Sequence, residues 1–151
     1  MTVEEVRDDE RVARFCDRSQ VKRTGVRYHA FIMTKFPTEL SVDRVELGNV
    51  EARAERETTE RGHSRTFVTL LAGNVRALPD VTVHARPLTR PTDEVDAPEH
   101  AEIHLHHAGL PVPPSKEDLQ RRAELWKKHI DCCVELAKMA RPRDCDQPEA
   151  N

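Results

Sequence analysis

Four of the chain's eight histidines fall between His100 and His107, a density that invites a chemical reading. Imidazole moves protons near neutral pH and is a common metal ligand. Read as a strand, Glu99 to His107 puts Ala101, Ile103 and Leu105 on one face and Glu102, His104 and His106 on the other. Two imidazoles and a carboxylate then project from one rigid element. Zinc takes three or four N, S or O ligands. The expected set is therefore His104 and His106, completed by Glu102, by His84 from a neighbouring strand, or by His100 if the strand bends. The cofactor this implies is zinc or another divalent transition metal. The competing reading is an exposed edge strand that tolerates histidine, and no strict metal signature decides between the two.

Two further constellations carry chemistry. His129 precedes Cys132 and Cys133 by three and four residues, so one helical turn brings an imidazole beside two thiols. That arrangement can bind metal or activate a thiolate. Cys133 also fits an apolar stripe, where it packs as a small core residue, and neither an orienting group nor an oxyanion hole is identifiable. Arg18, Lys22, Arg23, Arg27 and Lys35 form the most basic run, interleaved with Tyr28, His29 and Phe31. Guanidinium forks bind phosphate and aromatic rings stack on bases, so this run is a candidate surface for nucleic acid or another anionic ligand. Asp17, Glu39 and a net charge of -3 weigh against it. There is no G-x-S-x-G elbow, H-E-x-x-H pair or Gly-rich phosphate loop. Asp93 and Glu94 lie in a predicted loop and carry no catalytic weight.

The elements that must position these groups come from a polar chain. At 151 residues it has the length of one domain, with 37% hydrophobic, 4% aromatic and 34% charged residues. A mean hydropathy of -0.70 predicts a thin core, and a pI near 6.2 speaks against a generic nucleic-acid binder. The first residues, Met1 to Glu5, are acidic where a signal peptide would be positive. No apolar run reaches membrane-spanning length. Four cysteines without a CxxC pair predict a reduced, cytoplasmic protein. Arginine in excess over lysine suggests a bacterial, GC-rich source.

Along the chain, a capping box at Thr2 to Glu5 and the spacing of Val12, Phe15 and Cys16 predict a short helix ending near Arg18. Residues 19–25 read as a polar loop. Val26 to Met33 and Ser41 to Leu47 read as two strands of a hairpin, with Pro37 in the connection. Asn49 can cap a helix from Val50 to Glu57 with almost no apolar face. Thr66 to Leu71 and Asp80 to Arg86 read as strands, and Pro87 to Pro98 as an exposed loop. After Pro111, Pro113 and Pro114, Ser115 caps a helix of about seven turns. Its predicted stripe is Leu119, Ala123, Trp126, Ile130, Cys133, Ala137 and Ala140. Arg141 and Pro142 should end it.

Several short motifs resemble those of a group of small bacterial proteins with no assigned activity. They are Asp9 to Phe15, Arg27 to Phe31, Glu39 to Arg44, Asn74 to Leu78 and His100 to Ile103, spread over most of residues 9–140. The resemblance implies no function. It does imply that His100 belongs to the shared pattern, whereas His104, His106 and His107 do not. A metal site common to the whole group is correspondingly disfavoured.

The expected fold is α+β: a single domain over residues 1–140, with a small, mainly antiparallel sheet packed on a long C-terminal helix, and a disordered tail over 141–151. The leading expectation for function is a binding or assembly module. It would act on a protein partner, or self-associate, through the C-terminal helix with Trp126 and Ile130 as anchors. The alternatives are a metal-dependent hydrolase or nuclease built on His104 and His106, and nucleic-acid or anion binding through Arg18, Lys22, Arg23 and Arg27.

Overall fold

The computed structural model describes residues 4–32, 39–87, 97–105 and 116–143, the last stretch with side chains from residue 123 onward. Its centre is β1, Arg11–Asp17, where the sequence predicts a helix. The chain reads as helical there because apolar residues fall on both faces of a central strand. Val12 and Cys16 point one way, Ala13 and Phe15 the other, and all four are buried. Burial on both sides erases the alternation that marks a strand.

Around β1 runs a six-stranded antiparallel sheet in the order β6-β7-β4-β1-β5-β8. Its other members are β4 (Glu39–Arg44), β5 (Arg65–Leu71), β6 (Val81–Ala85), β7 (His100–Leu105) and the two-residue β8 (Arg141–Pro142). A separate two-stranded hairpin joins β2 (Val21–Lys22) to β3 (Gly25–Val26). Over Val26 to Ile32, the described part of the strand predicted to reach Met33, the chain forms the end of β3 and a 3-10 turn at Tyr28–Phe31 instead. That turn buries Ala30 and Phe31. β4 pairs with β1 and β7, so the predicted hairpin does not form. Pro37 lies outside the described residues.

Among the described residues, three α-helices cover the sheet. α1 (Val50–Arg61) starts where Asn49 Oδ1 accepts the Ala52 N–H at 3.1 Å and ends at Gly62, whose φ of 75° supplies the left-handed C-cap. Its apolar face is small but real: Val50 and Ala54 pack on Ala13, Phe15 and Phe67. Phe15 and Phe67 are cross-strand partners with ring centroids 6.1 Å apart. α2 (Ala72–Arg76) follows β5 directly and buries Ala72 and Val75. α3 (Lys116–Met139) packs on the opposite face of the sheet, where Val12, Leu40, Val68 and Ile103 form the larger core with Phe31.

The buried line of α3 differs from the predicted stripe. His129, Cys133 and Leu136 are buried, whereas Ala123 is exposed and Trp126 is 39% exposed. The helix is rotated so that a histidine, not the tryptophan, faces inward. β8 then adds to the edge of β5, and Arg143 reaches Glu51 at 2.7 Å. The packed structure thus continues through the first residues assigned to the tail.

Candidate functional site

β7 is an interior strand, paired with β4 on one side and β6 on the other, so the edge-strand reading of its histidines does not apply. Ala101, Ile103 and Leu105 are buried in the larger core, which turns Glu102 and His104 to the other face. α1 covers that face over β1 and β5. The polar residues of β4, β7 and β6 lie beyond it.

Strand register decides which groups meet. His104 is opposite Glu39 on β4 and Thr82 on β6, while Glu102 is opposite Ser41 and His84. The result is a convergent set: donor atoms of Glu39, Glu102 and His104 all lie within 4.8 Å of one another. His104 Nε2 is 3.1 Å from Glu102 Oε1 and 4.0 Å from Glu39 Oε1. The His104 and Glu102 side chains are only 14% and 18% exposed, whereas Glu39 is 37% exposed and has room to adjust. His84 stands beside them, its ring 4.8 Å from that of His104. One His84 nitrogen is 2.9 Å from Thr82 Oγ1 and the other 3.9 Å from Glu5. At the rim, Arg86 Nε is 3.4 Å from Glu102 Oε1.

This geometry suits a small cation. Two carboxylates held this close repel each other unless positive charge sits between them. An imidazole Nε2–H supplies part of it by donating to Glu102. A divalent metal would supply more, in place of that proton. Zinc ligands about 2.0–2.2 Å from the ion in tetrahedral array stand about 3.3–3.6 Å apart. The separations of 3.1 and 4.0 Å bracket that range and the third pair lies within 4.8 Å, so the set would close on an ion if the exposed Glu39 side chain moved inward. One nitrogen and two oxygens fit zinc, manganese or iron(II) and leave coordination positions for water.

Of the four histidines named from the sequence, the structure brings His104 and His84 together. His100 shares their face but is buried, its Nδ1 donating to the Arg86 carbonyl at 2.8 Å. His106 lies outside the described residues. Glu39 is the residue that sequence reading missed as a ligand. Only the β4–β7 register, which no local pattern announces, sets it opposite His104.

The thiol constellation is structural. Cys133 Sγ donates to the Phe31 carbonyl at 3.4 Å and lies 3.7 Å from His129 Nε2, joining α3 to the 3-10 turn. Burial pushes its thiol up to about 12 and that of Cys132 up to about 11. Neither is a nucleophile near neutral pH. Cys16, buried in β1, is likewise pushed up to about 11.

The basic run divides. Arg18 donates to Ser64 Oγ at 3.1 Å, and Lys22 lies in β2. Arg23 and Arg27 line a groove between the β2–β3 hairpin and the end of α3. Lys35 lies outside the described residues. A second polar pocket, beside β1 and α1, contains Arg53 and Arg65, but carboxylates engage both. Arg65 bridges Asp17 at 2.7 Å and Glu57 at 3.0 Å, and Arg53 holds Asp43 at 2.6 Å. It is a cross-linking network and not an open anion site.

Comparison with protein-family models, with curated proteins and with solved structures found no match. Among the described residues, no helix is long and apolar enough to cross a membrane.

Proposed function

We propose that the protein binds a divalent transition metal through Glu39, Glu102 and His104 and uses a metal-bound water for hydrolysis. The observation that carries this reading is the convergence of three donor atoms within 4.8 Å on two adjacent interior strands. Three protein ligands with open positions is the arrangement by which metals lower the pKa of water and polarise a substrate oxygen. With Glu102 held by a metal, Arg86, which is 59% exposed and stands 3.4 Å from that carboxylate, would be released to meet a phosphoryl or carboxylate group. Reduced thiols at Cys16, Cys132 and Cys133 agree with a cytoplasmic setting.

Elemental analysis of untagged protein tests this directly, beside folded His104→Ala and Glu102→Gln variants. Near-stoichiometric zinc, manganese or iron in the native protein, lost in both variants, supports the reading and justifies phosphoester and peptide screens. Metal-free protein that takes up none of the three ions at micromolar levels overturns it.

A second reading is favoured by Trp126. It is a large apolar side chain 39% exposed on α3, flanked by exposed Ala123, Lys127 and Lys128. Aromatic residues of this kind anchor protein interfaces. Under this reading α3 docks a protein partner or a second copy, with Ile130, partly buried, at the margin of the contact. Sedimentation velocity across a concentration series would show self-association that Trp126→Glu abolishes. A strictly monomeric native protein leaves only a heterologous partner.

A further inference from the structure

The groove that receives Arg23 and Arg27 is built from two segments far apart in sequence. One is the β2–β3 hairpin with the 3-10 turn after it. The other is the last turn of α3 and β8. It encloses about 860 Å³. Val26, Val134 and Ala137 contribute apolar lining. Arg23, Arg27, Lys138 and Arg141 also line it, and all four are exposed. No carboxylate is among the described lining residues, in a chain whose net charge is -3.

Many other arginines are engaged. Arg7, Arg44, Arg53, Arg65 and Arg76 each hold a carboxylate. Lys138 contacts Glu135 at 3.2 Å, outside the groove. Among the described residues the guanidinium groups of Arg23, Arg27 and Arg141 make no ion pair. Beside them the rings of Tyr28 and His29 are stacked, centroids 4.1 Å apart and planes at 26°. Four cations, three of them outside any ion pair among the described residues, lining an apolar groove together with a stacked aromatic pair match what an unpaired nucleotide strand presents: phosphates outside and base faces inward. A duplex hides those faces.

We infer that this groove binds single-stranded nucleic acid, with Arg23, Arg27, Lys138 and Arg141 on the phosphates and the exposed His29 ring, backed by Tyr28, as the stacking platform. The site is independent of the proposed metal centre, since it shares no residue with it. The chain's acidic balance does not oppose it, because affinity follows the local array of cations and not the net charge.

The test is fluorescence anisotropy with labelled single-stranded oligo-dT and oligo-U of about 12 nucleotides. A duplex of equal length, free thymidine monophosphate and a salt series complete the set. The expected result is salt-dependent binding of a single strand, weaker for duplex and for the mononucleotide. Arg27→Glu/Arg141→Glu should weaken it at least about tenfold and reduce the salt slope by about 1.4, at about 0.7 per phosphate contact. Arg56→Glu, an exposed change on α1, should leave it unaltered. If the Arg141 change loosens β8, Arg23→Glu on the hairpin loop provides the same readout, and thermal melts report folding for each variant. Absence of single-strand binding, equal binding of duplex or mononucleotide, or equal loss in Arg56→Glu overturns the inference.

Discussion

His84 and His104 meet edge to face across β6 and β7, with ring centroids 4.8 Å apart and planes at 62°. The contact arises because β6 and β7 are paired with His84 opposite Glu102, one pleat step from His104. A ring packed against a candidate ligand restricts how that ligand can turn, and such supporting partners tune metal affinity. His84→Ala is therefore expected to weaken zinc or manganese binding, by less than the roughly 10–100-fold typical of a hydrogen-bonded supporting partner. His104→Ala should remove it. Calorimetric titration with each ion distinguishes the two, and equal affinity in all three proteins would remove both histidines from the site.

Glu10 and Arg44 form a two-pronged buried pair, with Arg44 Nε and Nη2 donating to Glu10 at 2.9 and 2.8 Å. Glu10 also accepts the Arg7 N–H at 2.6 Å, and Arg44 reaches the Glu4 carbonyl at 2.7 Å. The pair thus fastens the N-terminal segment to β1 and β4. Arg44→Met leaves a buried carboxylate unpaired and should cost about 3–5 kcal/mol in urea unfolding. Glu10→Leu/Arg44→Met should recover part of that loss. A single variant as stable as the native protein would show that the pair contributes little.

Acid sensitivity follows from the same carboxylates. Burial works to raise Glu10, but Arg44 and the Arg7 N–H bring it below the ordinary range. Asp17 is lowered by Arg65 first, with burial opposing and His63 assisting. Both are depressed in the folded state. Their stabilisation is complete above the ordinary carboxylate range and is lost as pH falls through the depressed values. Asp43 runs the other way: burial raises it against Arg53, so its share of stability falls as pH rises through that raised value. Urea midpoints measured against pH should decline on the acid side, and Glu10→Gln should flatten that decline.

Thiol accessibility provides an independent check on packing. With Cys133 pushed up to about 12, and Cys16 and Cys132 up to about 11, native protein should react slowly with a disulfide reagent at mildly alkaline pH. Cys145, outside the described residues, would mask this, so a Cys145→Ser background is used. Reaction should then follow unfolding. Rapid labelling of folded protein would contradict the burial of α3 against the 3-10 turn.

The rotation of α3 can be tested by two truncations. Leu136 is fully buried, and Leu136→Ala should cost about 2–5 kcal/mol. Trp126, in contact with the His129 ring at 5.6 Å but 39% exposed, should cost under about 1 kcal/mol as Trp126→Ala. The reverse order would restore the stripe predicted from spacing.

Much of the architecture is local and so was visible in the chain. The Asn49 cap, the alternation of Val81 and Val83, the inward row Ala101, Ile103 and Leu105, and a long C-terminal helix each depend on neighbours within a few residues. These signals yielded the α+β class and the polar face carrying Glu102 and His104. What they could not convey was β1, because a strand buried on both faces loses its period. The phase of α3 was hidden too. Several apolar lines run along one helix, and only the facing Phe31 and sheet decide that His129 turns inward and Trp126 outward.

Strand order and register belong to tertiary structure alone. They set Glu39 opposite His104, lay His84 against its ring, and brought Lys138 and Arg141 beside Arg23 and Arg27. Each of these is a meeting of residues from distant segments, determined by how the sheet and α3 bury their apolar faces. The amino-acid sequence by itself determined the ligand types and the face from which they project. The fold decided which of them meet.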